Sequence, residues 1–173
     1  MNTEQPETEI VVPEQDTGTQ PLLSVQDMQT YFFTDEGTVK AVDGASFEVH
    51  AGKTLGIVGE SGCGKSITAK SILQIIDRPG RIVGGQVKFS PNGVGGLNLL
   101  DLEPNGKEIR SIRGGEISMI FQEPMTSFSP VHTFGNQIIE AIRLHSSLEQ
   151  KEAYDLAVDW MRRVGIPSPE QRM

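Results

Sequence analysis

Apolar residues along this chain follow two rhythms: short dense runs bounded by turn residues, and longer stretches with a helical repeat. Leu22 to Phe33 reads as a strand with aromatic residues at its end, and Thr34-Asp35-Glu36-Gly37 supplies a turn. Val39 to Val49 is a second strand-rich stretch, so an antiparallel pair is expected here. Ala51-Gly52 turns the chain into the apolar run Leu55-Gly56-Ile57-Val58, a third strand. Ser66 to Ile76 has the pattern of a helix burying Ile67, Ile72, Ile75 and Ile76, ended by Asp77-Arg78-Pro79-Gly80. Gln86 to Phe89 and Ile117 to Phe121 read as further strands, the second buried by its composition. Between them lie the glycine-rich residues 90–96, a short apolar piece at Asn98 to Asp101 and a polar helix or turn at Glu108 to Arg113.

The later third of the chain reads as helical. Gly135 to His145 places Ile138, Ile139 and Ile142 on one face. The next helix takes Ser147 as its N-cap, with Gln150 three residues on. Its stripe of Ala153, Leu156, Ala157, Trp160, Met161 and Val164 puts Trp160 in the core, and Gly165 and Pro167 stop it. The irregular segment Met125 to Thr133 exposes Met125, Phe128 and Val131 as a contact surface, or tucks them back into the core.

One loop carries chemistry. Gly59-Glu60-Ser61-Gly62-Cys63-Gly64-Lys65-Ser66 fits G-x-x-x-x-G-K-[ST] at every fixed position, after an apolar run and before a helix. Glycines let successive N–H groups point at phosphate oxygens, and the helix start adds its positive dipole end. Lys65 brings an ammonium to the outer phosphates, and the Ser66 hydroxyl is placed for a magnesium ion.

The bulk numbers narrow the classes. The 173 residues suffice for one domain with a sizeable core. A net charge of −8 argues against nucleic-acid binding driven by phosphate neutralisation. Cys63 is the single cysteine, so an internal disulfide is excluded, and it reads as a small residue that fits the loop. His132 and His145 have no Cys or His partner at metal-ligand spacing. Neither a membrane-length apolar run nor a signal-peptide pattern is visible, so a cytoplasmic chain is expected. Residues 1–21 are acidic, without Lys or Arg, and read as a disordered tail with no function of its own.

Leu22 to His145 resembles the ATP-binding subunits of ABC transporters, specifically those of bacterial oligopeptide and dipeptide importers. The resemblance rests on Ala41-Val42-Asp43-Gly44, on Gly56 to Ser66, and on Ile117-Ser118-Met119-Ile120-Phe121-Gln122-Glu123-Pro124-Met125-Thr126-Ser127. It implies an α/β fold: a P-loop NTPase core with an N-terminal antiparallel β subdomain and a partial helical subdomain, truncated. The implied division is a tail at 1–21, the ATPase core at 22–134 and the start of the helical subdomain at 135–173. By position, Phe32 matches the aromatic residue that stacks on adenine, with Tyr31 and Phe33 one residue either side. Gln122 matches the glutamine that reaches the magnesium and couples nucleotide to the membrane subunit. The resemblance thus implies Mg-ATP as ligand, with Lys65 and Gln122 as candidate catalytic residues and Ser66 and Gln122 as metal ligands. The nucleotide is held by Phe32 and by Gly59, Glu60, Ser61, Gly62, Cys63, Gly64, Lys65 and Ser66. Implied partners are transmembrane permease subunits, docked on the segment after Gln122, and a second ATP-binding subunit, which places the chain peripherally on the inner face of the membrane.

Three family features are missing: the Leu-Ser-Gly-Gly-Gln signature loop, the apolar strand ending in Asp-Glu, and the switch histidine. The chain is therefore expected to be the N-terminal half of such a subunit, offering the binding half of the site without hydrolysis of its own. A parallel sheet with missing strands and exposed edges is the structural corollary. The alternative is a non-catalytic nucleotide-binding fragment. A GTPase reading is disfavoured because Asn98-Leu99-Leu100-Asp101 has the spacing of a guanine motif without its lysine.

Overall fold

The computed structural model describes residues 20–93, 95–122 and 128–173. Most of the acidic segment and Met125 therefore lie outside the described residues. Contacts divide the chain between Arg110 and Ser111 into two compact units.

The first unit is built on one antiparallel sheet. Its strands are β1 (Leu23–Thr34), β2 (Gly37–Val49), β3 (Gly80–Phe89) and β4 (Leu97–Asn98), in the order β2-β1-β3-β4. The expected hairpin forms: Thr34 pairs with Gly37 across Asp35-Glu36, and the Thr34 hydroxyl donates to the Gly37 carbonyl at 2.9 Å. β3 starts well before the expected Gln86 and pairs with β1 from Phe32↔Gly80 to Leu23↔Phe89. Val25, Met28, Val42, Phe47, Val87 and Phe89 are buried in and around this sheet. Leu99 and Leu102 join that buried set from a 3-10 turn over Leu99–Asp101, where a short apolar piece was expected.

Helix α1 (Lys65–Ile72) covers part of the sheet and is shorter than expected. Gln74 takes a left-handed conformation, with φ 51°. The Gln74 N–H donates to Ser71 O at 3.0 Å and the Ile75 N–H to Lys70 O at 3.0 Å, a Schellman ending without glycine. The Gln74 amide explains how a non-glycine residue holds this position. It donates to the carbonyls of Leu99 and Leu102, tying the helix end to the 3-10 turn. The buried face also differs from expectation. Thr68, Ser71 and Leu73 are buried, while Ile67, Ile72, Ile75 and Ile76 are half-buried. Thr30 and Ser71, both fully buried, share a 2.7 Å hydrogen bond, and the Ser71 hydroxyl lies 2.7 Å from Ile67 O. This pairing satisfies two hydroxyls that would be costly to bury alone.

Two expected strands do not form among the described residues. Leu55 to Val58 contributes a single bridge residue, Ile57. Ile117 to Phe121 contributes one bridge, Arg113 to Ile117, and Ile120 is 93% exposed. Both runs have the near-continuous apolar composition of interior parallel strands. Such strands need a hydrogen-bonded neighbour, and alone they leave their backbone groups to water.

In the second unit α3 (Phe134–Leu144) and α4 (Gln150–Arg163) pack against each other through Ile139, Ala153 and Ala157, flanked by Ile138, Ile142, Leu148, Tyr154 and Met173. The Thr133 side chain caps α3. Glu149, not Ser147, caps α4: the Glu149 N–H donates to the Glu152 carboxylate at 2.9 Å in a capping box. Ser146 serves the preceding helix instead, donating to Ile142 O at 2.7 Å. Gly165, with φ 79°, ends α4 as expected, its N–H reaching Arg162 O and that of Ile166 reaching Met161 O. Trp160 is 53% exposed, contrary to its expected core position. At 100° per residue it sits on the trailing edge of the Ala153–Ala157–Met161 line, where Arg163 covers its ring at 5.1 Å. Helix α2 (Lys107–Ile112) carries the boundary between the units. It was expected to be polar, yet it buries Ile109 and Ile112.

Candidate phosphate-binding site

Gly64 is the hinge of the glycine loop. It is the N-cap of α1 in a left-handed conformation, φ 94° and ψ −2°, which a side chain resists. There is also no room for one, because a Cβ at Gly64 would run into the Ala41 carbonyl of β2. The loop is therefore seated directly on the sheet. Thr68 fastens the other side of Gly64: its N–H and its hydroxyl both donate to the Gly64 carbonyl, at 2.8 and 3.0 Å. Neither anchor was anticipated from sequence. The signal for Thr68 was its place one helical turn after Gly64.

The start of α1 has no side-chain cap and no acidic residue in its first turn. The N–H groups of Lys65, Ser66 and Ile67 precede the first intrahelical bond and suit an anion at the positive end of the helix dipole. The Lys65 ammonium folds back into the loop, donating to Gly59 O at 2.7 Å and Glu60 O at 2.8 Å, with Cys63 Sγ at 3.3 Å. The cation is thus already held over the loop. Ser66 is exposed. Among the described residues no cluster of three His, Cys, Asp or Glu could hold a metal. This donor set fits a triphosphate. A magnesium ion would be held by Ser66 together with phosphate oxygens, a usual arrangement for that ion.

Gly59, Glu60, Ser61, Gly62, Cys63, Gly64, Lys65 and Ser66 thus come together in one loop. Phe32 lies on β1 in the same unit, half-buried and paired with Gly80. A Cβ at Gly80 would stand 2.8 Å from the Phe32 ring and 2.5 Å from Ile76, so Phe32 rests on that glycine. Tyr31 is engaged elsewhere: its hydroxyl donates to Asp43 at 2.5 Å, and Lys40 lies 3.1 Å from the same carboxylate. The Tyr31 hydroxyl, then Lys40, hold the Asp43 carboxyl below its ordinary range. The hydrogen bond to Asp43 raises Tyr31 and Lys40 in turn. Gln122 is exposed and belongs to the other unit, so the structure describes it by itself.

The sequence profile described as ABC transporter matches residues 42–173. This chain belongs to the ABC transporter family. A P-loop NTPase core is what that membership implies. The chain is 46% identical over 153 residues to a probable peptide ABC transporter ATP-binding protein of Sinorhizobium fredii, covering 88% of this chain and 44% of that protein. It is 40% identical to a dipeptide transport ATP-binding protein of Haemophilus influenzae and 42% identical to an oligopeptide transport ATP-binding protein of Bacillus subtilis, each over 88% of this chain and 44% of the relative. This ABC transporter chain thus spans less than half the length of those curated relatives. Among its described residues no helix is long and apolar enough to cross a membrane.

Proposed function

We propose that this chain is the Mg-ATP-binding part of the ATP-binding subunit of a peptide-type importer, energising solute uptake through transmembrane partners. The observation that carries this reading is the uncapped start of α1 behind a glycine loop seated on Ala41, with the Lys65 ammonium already over it. The names of the relatives support the peptide class. In this reading the amides from Gly62 to Ile67 hold phosphate oxygens, Lys65 neutralises the outer phosphates, Ser66 and Gln122 meet the magnesium, and Phe32 receives the base. The segment after Gln122 faces the permease, a second ATP-binding subunit completes the site, and the chain works on the cytoplasmic face of the membrane. The division at 1–21, 22–134 and 135–173 belongs to the same reading.

Calorimetry with Mg-ATP on the folded chain tests it. Binding is expected, weakened at least about tenfold by Lys65→Ala, since a charge-assisted hydrogen bond contributes about 1.5–3 kcal/mol. Equal affinity in the variant would refute the assignment. The 173 residues contain no Leu-Ser-Gly-Gly-Gln stretch, so binding without turnover is expected of this chain alone. Steady-state phosphate release that disappears on Lys65→Ala would contradict that.

A further inference from the structure

One patch of the first unit lies outside the nucleotide reading. Phe33 is 44% exposed at the end of β1, and a cavity of about 440 Å³ beside it is lined by Arg78, Pro79, Gly80 and Arg81. The Arg81 guanidinium lies over the Phe33 ring at 5.8 Å. Among the described residues neither Arg78 nor Arg81 forms an ion pair. The neighbouring carboxylates are committed: Asp77 pairs with Lys70 at 3.0 Å, and Asp43 with Lys40 and Tyr31. Asp35 and Glu36, in the adjoining turn, pair with neither arginine. Two exposed guanidiniums without an ion pair among the described residues stand out in a chain of net charge −8. A guanidinium presents a planar fork suited to carboxylates.

We propose that the acidic N-terminal segment of this same chain docks on this patch, through Glu4, Glu7 and Glu9. That segment was expected to be inert. Residues 1–19 hold five carboxylates, Glu4, Glu7, Glu9, Glu14 and Asp16, and no Lys or Arg. Reach selects among them. Leu23 pairs with Phe89 and Phe32 with Gly80, a separation of roughly 30 Å along β3. Glu9 is thirteen residues from Leu22, and that length spans up to roughly 45 Å when extended. Glu14 is eight residues from Leu22 and spans about 28 Å only when fully extended, so it meets the patch far less readily than Glu9. With Glu9 near Arg81, the Ile10-Val11-Val12 run comes level with Val83, which is 44% exposed two residues further along β3. Tethering raises the local concentration of the segment, so individually weak exposed pairs suffice.

The test is digestion of the full chain by a glutamate-specific protease at low salt. Cleavage after Glu7 and Glu9 is measured relative to cleavage after Glu14, which serves as the reference within each digest. In the unaltered chain this ratio is expected to be about threefold lower than in Arg78→Gln/Arg81→Gln, the size that two or three exposed pairs provide. Lys88→Gln, an exposed cation elsewhere on β3, is expected to leave the ratio unchanged. An equal ratio in the double arginine variant, or the same rise with Lys88→Gln, would overturn the proposal. So would protection that grows with protein concentration, which would assign the patch to the segment of a second copy.

Discussion

The β1–β2 hairpin and the Ile117–Phe121 segment look alike in composition and end differently. Both are apolar runs that read as strands. The hairpin pairs from Leu23↔Val49 to Thr34↔Gly37, with register shifts only between Val25 and Tyr31, whereas Ile117–Phe121 makes one bridge and leaves Ile120 93% exposed. The difference lies in where each strand finds its partner. Across Asp35-Glu36 the partner arrives within two residues, at a small loop-closure cost. A parallel strand needs a partner from farther along the chain. Leu55–Val58 sits beside the same lesson, with Ile57 as its one bridge residue. The glycine loop takes its seat from the paired side, through Ala41 of β2 and Thr68 of α1.

The largest effect that could break this comparison is at Met28. It is fully buried in the paired sheet, and Met28→Ala is expected to lower unfolding free energy by about 2–5 kcal/mol in denaturant titration. Ile120→Ala in the unpaired run is expected to stay within about 0.5 kcal/mol. Comparable losses at the two positions would mean the unpaired run is packed after all. Gly64→Ala is next. It places a Cβ against the Ala41 carbonyl at φ 94°, so a loss of about 1–3 kcal/mol is expected in thermal melts. Mg-ATP affinity should fall with it. A variant that melts like the unaltered chain would show the loop is not seated on β2.

The smallest effect concerns the exposed Tyr31–Asp43–Lys40 group. The Asp43 carboxyl is held low, so its contribution is present above the ordinary aspartate range, near pH 4, and is lost as pH falls through its lowered value. Tyr31 and Lys40 are raised, and their contributions are present below their ordinary values and lost as pH rises through the raised ones. Asp43→Asn should therefore flatten a shallow acid-side decline in stability below about pH 4. An unchanged decline would place that sensitivity elsewhere.

Legibility followed the range of the deciding interaction. The glycine loop, the hairpin and the end of α4 at Gly165 were readable because each is set by residues within a few positions. The early end of α1 was not, because Gln74 is held left-handed by carbonyls of Leu99 and Leu102, far along the chain. Ser147 looked like a cap for α4, but Glu149 and Glu152 form a reciprocal pair there instead. Trp160 matched an apolar stripe by period alone, yet small alanines fill the α3–α4 contact and leave the indole at its edge. In the candidate site, the motif was legible, while the Ala41 and Thr68 anchors of Gly64 depend on which backbone passes beneath the loop.

The central claim is that the loop amides and the Lys65 ammonium hold a triphosphate on a scaffold that is already folded. Backbone amide NMR of the chain titrated with Mg-ATP tests it most directly. The account predicts the largest shifts at Gly62 to Ile67, with the amides of β1 and β3 from Leu23 to Val25 and from Val87 to Phe89 nearly unmoved. Shifts spread across the sheet, or none in the loop at saturating nucleotide, would contradict it.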